Sequence, residues 1–292
     1  KYIWLSVSPR KEWTAGIKSI EKFFKSMKKK IILLTGNEQR HLYSACFLSS
    51  QKNIDLKLVV HESNIKLKEN VLYKKDSDFK RHINLRSKTE NLFFKKFIKK
   101  NNKYNFISIK NEKINDEKII NLIKKENFDY IIAYGCSIVA QEFINQFRGK
   151  FFNIHLGLSP YYKGSGTNFF PFVNKELQFC GSTIMQISKK IDGGKIIHQI
   201  RPDFNKNDNI HTIGNKIIKK TFVDLCKIIT QDKKIKFFQV KTRYKTKVYK
   251  RKDFNKKTLK IAIKNIKNKL VPEYITKYKR SMERKYPIKS QL

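Results

Sequence analysis

The sequence predicts an α/β fold, a doubly wound and mostly parallel sheet, from the pattern of its apolar residues. Short runs of consecutive apolar residues recur, as expected for strands that are buried on both faces of a parallel sheet. Helical stretches alternate with these runs, which is the order that parallel strands and crossover helices produce. An Asn-x-His pattern, Asn153 to His155, closes one predicted strand. Open α/β sheets place their ligands at such strand ends.

The predicted elements follow one another regularly through the first 230 residues. The predicted strands are 31–35, 55–60, 106–109, 129–133, 181–187 and 195–199. The predicted helices are 39–50, most of 63–103, 115–126, 137–147 and 211–229. Asn168 is expected to cap a short helix within 167–174, because an amide at that position can accept from the helix backbone.

Three segments are predicted along the chain. Residues 1–26 look like an N-terminal extension, with a short helix predicted over 14–26, because Met27 and the lysines after it resemble a natural start before a strand. Residues 27–231 form the predicted catalytic domain. Residues 232–292 carry 22 Lys and Arg against four acids, so we expect a small basic C-terminal appendage that packs on the core. Its apolar residues at helical spacing are Leu259, Ile263, Ile266 and Leu270.

The composition excludes several classes of protein. A hydrophobic content of 40% in 292 residues is enough for a core, so the chain is not a disordered one. No apolar run approaches the roughly 18 residues needed to span a bilayer. The four cysteines lie dozens of residues apart without a C-x-x-C pair, which disfavours a zinc site or a disulfide framework. We therefore expect a cytoplasmic protein without a bound metal.

The formal net charge of +41 has two interpretations. The lysines are spread over the whole chain, which favours a compositional drift that places them on solvent-exposed faces. They could also follow a polyanion such as RNA or an anionic membrane. Nonspecific binding of polyanions at low salt is expected in both cases.

Three polar residues lie where the chain is predicted to turn: Asn153, His155 and, 37 residues later, Asp192. Acyl transfer to an amine needs a donor for the tetrahedral oxyanion and a group that moves a proton. The Asn153 amide can donate without titrating, His155 titrates near neutrality, and Asp192 can orient the imidazole or raise its pKa. Each residue alone is as typical of a structural role, as a turn cap, a buried histidine or a turn aspartate. Their combination favours a site for acyl transfer.

Two other turns are candidates for ligand binding. Residues 134–138 follow a predicted strand, and Gly135 would allow the backbone to approach a planar ligand closely. Arg40 and His41 fall in the first turn of the first helix, where an anion could bind, although Arg40 is as compatible with a solvent-facing position. The sequence has no G-x-G-x-x-G or Walker pattern, so a dinucleotide or NTP site is not expected.

The motif around His155 resembles a family signature. Residues 153–164, NIHLGLSPYYKG, resemble the N-I-H-x-S-L-L-P-x-x-x-G signature of the folate-dependent formyltransferases. Residues 181–186, GSTIMQ, with 191–197, IDGGKII, are similar to their second signature. Two motifs in the expected order are more specific than one. The sequence departs from the family at 156–159, LGLS, where Pro-Ser-Leu-Leu is frequent.

The resemblance implies a Rossmann-like fold, 10-formyltetrahydrofolate as the formyl donor, and a direct attack of the acceptor amine. It implies that Asn153, His155 and Asp192 are the catalytic residues. It also implies that two segments flank the pterin of the donor. These predicted cofactor-binding residues are Tyr134, Gly135, Cys136, Ser137 and Ile138 in one segment, and Ile191 and Gly193 in the other.

The acceptor is predicted by exclusion among the family's members. Glycinamide ribonucleotide enzymes have a glycine- and serine-rich phosphate loop, whereas residues 36–41 here are GNEQRH. Methionyl-tRNA enzymes carry a C-terminal barrel, for which the 61 residues after Gln231 are expected to be too few. Formyltetrahydrofolate deformylases carry an N-terminal regulatory domain that we do not expect here. A small amine remains, an amino sugar or related metabolite, whose phosphate or nucleotide would contact Arg40, His41 and Lys163.

Three alternatives stay open. One is a methionyl-tRNA formyltransferase-like enzyme. Another is a hydrolase in which water replaces the amine. The last is a basic RNA-binding protein that has kept the fold and lost catalysis, against which the intact Asn153, His155 and Asp192 set counts.

Overall fold

The computed structural model describes residues 28–63 and 75–292. The predicted extension 1–26 and its helix lie outside these residues, as does the part of the predicted helical stretch at 64–74. The strands are β1 Lys29–Gly36, β2 Ile54–Glu62, β3 Phe106–Ile109, β4 Tyr130–Tyr134, β5 Phe151–His155, β6 Tyr162–Gly164, β7 Ser182–Gln186, β8 Ile196–Ile200 and β9 Lys247–Tyr249. The helices are α1 Gln39–Ser49, α2 Ser77–Asn101, α3 Glu117–Lys124, α4 Gln141–Gln146, α5 Phe170–Asn174, α6 Ile210–Thr230, α7 Lys256–Lys267, α8 Leu270–Glu273 and α9 Lys279–Lys285.

Seven strands form the main sheet, in the order β3-β2-β1-β4-β5-β7-β8. The strands from β3 to β5 run parallel, whereas β7 and β8 are antiparallel to their neighbours. The strand order reverses between β1 and β4, and open α/β sheets bind ligands at the carboxyl ends of strands near such a reversal. The prediction of a doubly wound, mostly parallel, Rossmann-like sheet is confirmed.

The central strand β1 shows why the sheet is covered on both faces. Ile31 and Leu33 pack into one apolar cluster together with Phe222 and Leu225 of α6. Ile32 and Leu34 pack into a second cluster on the opposite face, which includes Ile123 of α3 and Phe143 of α4. Successive side chains of a strand point to opposite faces, so an uninterrupted apolar run requires helices on both sides. Each fully buried aliphatic side chain contributes about 1.5–3 kcal/mol.

Capping residues set the ends of two long helices, and one predicted cap is wrong. The Asp76 carboxylate accepts from the Phe79 amide at 2.9 Å at the start of α2, and Asn209 caps α6. Asn168 does not cap a helix, because its amide exchanges two hydrogen bonds with the backbone of Gly181, at 2.9 and 2.8 Å. That side chain ties the segment before α5 to the segment before β7.

Residues 232–292 fold back onto the sheet at several places. Phe238 pairs with Ile196 at the start of β8, and the Gln199 amide of the same strand donates to the Lys289 carbonyl at 2.7 Å. The Asn265 amide of α7 donates to the Phe172 carbonyl of α5 at 2.8 Å. β9 pairs in parallel with β6 as a separate two-stranded sheet. The basic C-terminal segment therefore contacts the predicted catalytic domain from both of its ends.

Among residues 28–63 and 75–292, every helix is too short or too polar to cross a membrane. The same part of the chain has no group of three side chains suited to bind a metal ion.

Candidate active site

The Asn-x-His motif lies at the carboxyl end of β5, where the sheet changes from parallel to antiparallel pairing. Phe152 and Ile154 anchor this strand in one apolar cluster and Phe151 anchors it in another. Asn153 and His155 are two residues apart, so they project from the same face of β5. The loop between β7 and β8 leaves β7 at Gln186, opposite Phe152 near the amino end of β5, and returns along the sheet so that Asp192 contacts His155 at this strand end.

The structure brings Asn153, His155 and Asp192 together. Asp192 Oδ1 lies 3.2 Å from His155 Nδ1 and 3.5 Å from Asn153 Nδ2. Asp192 Oδ2 accepts a hydrogen bond from the Gly164 amide at 2.8 Å. One carboxylate therefore contacts a side chain of each predicted catalytic residue and the backbone of β6.

The backbone around Asp192 fixes the direction of its carboxylate. Asp192 has φ +46°, a left-handed conformation that aspartate and asparagine tolerate better than most residues. Its carbonyl accepts from the Ser159 hydroxyl at 3.2 Å, which joins the two motifs. A Cβ at Gly194 would lie 1.7 Å from the Gln186 carbonyl oxygen, so the turn requires glycine there.

His155 is enclosed by acceptors on both ring nitrogens. Its Nε2 lies 3.0 Å from the Tyr162 carbonyl, opposite the contact of Nδ1 with Asp192, and the side chain is 6% exposed. Burial lowers the pKa of His155 below its ordinary value, while the Asp192 carboxylate and the Tyr162 carbonyl oppose this shift and the Lys163 ammonium adds to it. The imidazole is therefore neutral near pH 7 and has one proton for two acceptors.

The loop where the sequence departs from the family signature packs directly on His155. A Cβ at Gly157 would lie 2.5 Å from His155 Nε2 and 2.7 Å from Thr167 Cβ. The Thr183 hydroxyl donates to the Gly157 carbonyl at 2.7 Å and accepts from the Ser159 amide at 3.0 Å. Gly157 leaves room for the imidazole, and Thr183 holds the loop in that position.

The predicted cofactor-binding turn after β4 is ordered by a buried carboxylate. Glu62, at the end of β2, accepts from the Ser137 amide at 2.6 Å and from its hydroxyl at 2.8 Å. Gly135 has φ +68°, which favours glycine. Burial raises the pKa of the Cys136 thiol to about 12, so this cysteine is not a thiolate nucleophile. Tyr134 is buried, and its hydroxyl has no hydrogen-bond partner in the described part of the chain.

Apolar side chains are exposed in both predicted cofactor-binding segments. Ile138 is 74% exposed at the end of the turn after β4, and Ile191 is 56% exposed beside Asp192. The Gly193 amide donates to the Lys190 carbonyl at 3.0 Å and closes the turn of the second segment. The first segment extends from the carboxyl edge of the sheet, the edge at which such sheets bind ligands, and Asp192 of the second segment contacts His155 at that edge.

The predicted substrate-binding residues occupy two different environments. Arg40 pairs with Glu38 and, at 2.8 Å, with Glu90, so its charge is matched by two carboxylates. His41 is buried with its ring edge toward Tyr134, and burial lowers its pKa well below the usual value. Lys163 is half-buried on β6, close enough to His155 to influence its pKa. Of the three, Lys163 lies beside the cluster of Asn153, His155 and Asp192.

Two backbone contributions to the site were not anticipated from the sequence. The Tyr162 carbonyl and the Gly164 amide contact His155 and Asp192, and both come from the three-residue strand β6. Gly164 ends the first signature, but the pattern of residue types does not show that its N–H binds the aspartate. The sequence signal was the presence of a glycine at this position. Its φ of +88° in the structure favours glycine and is typical of a close approach of two backbones.

Comparison with known proteins identifies relatives of the chain. It is 27% identical over 120 residues to a methionyl-tRNA formyltransferase of Finegoldia magna, with 38% of each protein covered. It is 30% identical over 103 residues to a methionyl-tRNA formyltransferase of Pelagibacter ubique, with 32% of this chain and 33% of that one covered. The chain thus spans about a third of the length of these curated relatives.

A solved structure and a family model extend the comparison beyond these local matches. The structure of a 4-N formyltransferase from Francisella tularensis aligns with 80% of this chain and 86% of its own, at 20% identity and a TM-score of 0.49. The family model described as formyl transferase matches residues 30–234, well over half of the chain. The family resemblance predicted from the two motifs is confirmed, and the chain belongs to the formyl transferase family.

Proposed function

We propose that this protein transfers the formyl group of 10-formyltetrahydrofolate to the amine of a small acceptor by direct attack of that amine. The observation that carries the proposal is the convergence of His155 and Asn153 on the Asp192 carboxylate, at 3.2 and 3.5 Å. The folate donor and the reaction class are those of the family to which the chain belongs.

The His155–Asp192 pair is suited to accept the proton that the attacking amine loses. The Asp192 carboxylate and the Tyr162 carbonyl are both acceptors, whereas the neutral imidazole has a single N–H between them. One of the two contacts lacks a proton until the pair gains one. The proton of the attacking amine fills that position, and the pair then returns it to the leaving nitrogen of the donor.

The Asn153 amide is suited to stabilise the oxyanion. Its contact with Asp192 is at the long limit for a hydrogen bond, so the N–H loses little when it turns to a stronger acceptor. As the amine nitrogen bonds to the formyl carbon, the formyl oxygen becomes an anion that the amide can bind. A donor that meets charge only as it develops lowers the barrier rather than the substrate energy. The bond from the formyl carbon to the folate nitrogen then breaks.

The turn at 134–138 and the Asp192 loop are proposed to hold the donor. Glu62 holds the first of these through two hydrogen bonds from Ser137, so contacts within the protein set the position of the turn. Exposed Ile138 and Ile191 offer apolar surface for a pterin ring. No described group of side chains is arranged to bind a metal, and the steps above need none.

The proposed acceptor is an amino sugar or related small amine that carries a phosphate or a nucleotide. Two observations support this acceptor. Lys163 places a cation beside His155, where it can meet a phosphate of the acceptor. Residues 232–292 pack against β6, β8 and α5 of the predicted catalytic domain. Arg40 and His41 are weaker candidates for the phosphate, because the first is paired with carboxylates and the second is buried. The compartment proposed for this reaction is the cytoplasm.

Methionyl-tRNA is the second candidate acceptor, on a specific observation. The curated relatives named above are methionyl-tRNA formyltransferases, and the net charge of +41 would favour a polyanionic substrate. The two acceptors predict different salt dependence of the turnover. Turnover of a small amine should change little with salt, whereas turnover of tRNA should fall steeply as salt rises.

The experiment is to measure consumption of 10-formyltetrahydrofolate with a panel of acceptors: amino-sugar nucleotides, glycinamide ribonucleotide, methionyl-tRNA and none. Turnover that requires an amino-sugar nucleotide supports the proposal. Turnover with methionyl-tRNA alone contradicts the small acceptor and leaves the reaction standing. Release of formate at full rate without an acceptor would identify a hydrolase, and no consumption under any condition would contradict the activity itself.

A further inference from the structure

The three-residue strand β6 contacts both members of the His155–Asp192 pair. The Tyr162 carbonyl lies 3.0 Å from His155 Nε2, and the Gly164 amide donates to Asp192 Oδ2 at 2.8 Å. Both contacts come from main-chain atoms of the same strand. The position of β6 therefore contributes to the positions of both side chains.

The main sheet does not hold β6, and its strand partner is β9 in the C-terminal segment. The register pairs Tyr162 with Lys247 and Gly164 with Tyr249. Two further hydrogen bonds flank this pairing. The Lys247 amide donates to the Tyr161 carbonyl at 2.9 Å, and the Ser165 amide donates to the Tyr249 carbonyl at 2.8 Å. The approach is close, since a Cβ on Gly164 would lie 2.1 Å from the Tyr249 carbonyl oxygen. An isolated two-stranded ribbon is marginally stable, so other contacts must hold this pair.

Those contacts are made by the Glu176 carboxylate, which joins the two strands through side chains. Glu176 accepts from the Tyr162 hydroxyl, from the Tyr244 hydroxyl at 2.8 Å and from Lys247 Nζ at 2.7 Å. The Tyr162 side chain is fully buried, so its hydroxyl requires such a partner. Two of the three donors to Glu176 thus belong to the C-terminal segment and the third belongs to β6.

A side-chain amide also joins the two strands, through tyrosine hydroxyls. Asn174 Nδ2 donates to the hydroxyls of Tyr162 and Tyr249, both at 2.8 Å. The Tyr249 ring also stacks on Phe170. The polar groups of this cluster are satisfied by one another, so removing a donor of the C-terminal segment leaves the partly buried Glu176 carboxylate with fewer hydrogen bonds.

We propose that residues 244–249 act as a positioning element for the catalytic pair, with the Tyr244 and Lys247 side chains holding β6 through Glu176. This segment lies beyond residues 30–234, the part of the chain that the family model matches. The proposal rests on the proposed function in one respect, that His155 and Asp192 do the chemistry.

The expected effect is on rate rather than on donor binding. A displacement of about 1 Å at a reacting group can cost about a hundredfold in rate, and β6 carries no predicted pterin contact. Displacing β6 also changes the surroundings of His155. Burial is the largest influence on the pKa of His155 and lowers it, the Asp192 carboxylate and the Tyr162 carbonyl raise it, and the Lys163 ammonium lowers it. Each of these influences depends on the position of β6, so displacing the strand should shift the pKa.

The test uses the full chain with Tyr244→Phe, Lys247→Met and the double variant, which remove donors to Glu176 with little change in volume. Lys245→Met and Tyr278→Phe are matched controls, since both side chains are exposed. We expect kcat of the double variant to fall by about tenfold or more, with an unchanged KM for the formyl donor. Lys247→Arg, which keeps a cationic donor to Glu176, should retain most of the kcat that Lys247→Met loses.

A second measurement does not depend on turnover. The pKa of the His155 imidazole is measured by NMR titration, with the resonance assigned by its loss in His155→Gln. The double variant should shift this pKa while circular dichroism shows the chain still folded. If the parent turns over none of the acceptors, the proposed function has failed and the pKa measurement alone decides this inference. An unchanged pKa in the folded double variant, or a rate that falls only in proportion to the folded fraction, would overturn it.

Discussion

Glu38, Arg40, Arg86 and Glu90 form one compact polar cluster, and Asn153, His155 and Asp192 form another. Both lie at the carboxyl edge of the sheet, the first beyond β1 and the second at the end of β5. In the first cluster, Arg40 and Arg86 each pair with both Glu38 and Glu90. Two positive and two negative charges are therefore matched, and every carboxylate has donors.

The second cluster has fewer protons than hydrogen-bond acceptors. The Asp192 carboxylate and the Tyr162 carbonyl are two acceptors for the single N–H of the neutral His155 imidazole, and the Asn153 amide makes only a long contact of 3.5 Å with Asp192. A balanced cluster gains little from a new proton or anion, whereas an unbalanced one gains a hydrogen bond. The comparison teaches that partly buried polar groups mark a reactive site when their donors and acceptors do not balance. Four experiments test that difference.

Asp192→Asn should have the largest effect. Asparagine tolerates the left-handed backbone at this position, so the fold should persist while the group that shares the proton of His155 is lost. We expect kcat to fall by about 10²–10⁴-fold, the usual range for a general acid–base group, in an assay of formyl-donor consumption. Asp203→Asn, at an exposed position, is the control. Turnover within a few-fold of the parent would remove Asp192 from the mechanism.

Gly157→Ala should disturb the same site by steric means. The added methyl would lie 2.5 Å from His155 Nε2 and 2.8 Å from the Thr167 hydroxyl, so either the imidazole or the loop must move. We expect kcat to fall by about 10–100-fold, because a reacting group displaced by about 1 Å loses that much. Gly214→Ala is the matched control, since a Cβ there meets no atom within 4 Å and the position is helical. Equal rates for the two variants would mean that the loop adapts without moving His155.

Glu90→Gln, in the Arg40 cluster, should show the opposite pattern: the stability of the protein should fall while its activity is kept. It leaves Arg40 and Arg86 with one carboxylate between them, so the free energy of unfolding should fall by about 2 kcal/mol, reduced from the value for a fully buried pair by partial exposure. The kcat of the folded enzyme should be unchanged. Denaturant unfolding and steady-state rates check this, with exposed Glu117→Gln as the control. A raised KM for the acceptor with unchanged stability would instead support the prediction that Arg40 binds substrate.

The sequence predicted the sheet well because its evidence was local. Runs such as Ile31 to Leu34 are apolar at every position, and this pattern is typical of strands covered on both faces. The direction of β7 and β8 could not be predicted, since an apolar run has the same composition in a parallel and in an antiparallel strand. β6 and β9 have three residues each, too few for a period of two to appear.

The side chains of the candidate site could be predicted from the sequence, whereas the backbone groups that contact them could not. Asn153, His155 and Asp192 are residue types with evident chemistry, and the structure brings them together. The Tyr162 carbonyl and the Gly164 amide are groups that nearly every residue has, so no pattern of letters singles them out. Pairing across long sequence separations was also invisible. Arg40 meets Glu90, 50 residues away, so a cation predicted to contact a phosphate or the solvent is part of a balanced cluster.

Lys163→Gln should have the smallest effect, and it tests the proton balance most directly. His155 must be neutral to accept a proton, so kcat/KM should fall as the pH drops through the pKa of His155, which burial holds below 6.5. The Lys163 ammonium adds to that lowering, so its removal should raise the pKa and move the acidic limb of the pH profile to higher pH. The position of the limb is compared between the parent, Lys163→Gln and the exposed control Lys206→Gln.

The height of the same profile carries separate information. If Lys163 also contacts a phosphate of the acceptor, kcat/KM falls at every pH without moving the limb further. A limb that stays in place would mean that another group accepts the proton. The missing proton of the His155–Asp192 pair would then be a structural property rather than a catalytic one. The contrast with the Arg40 cluster would no longer distinguish a catalytic cluster from a structural one.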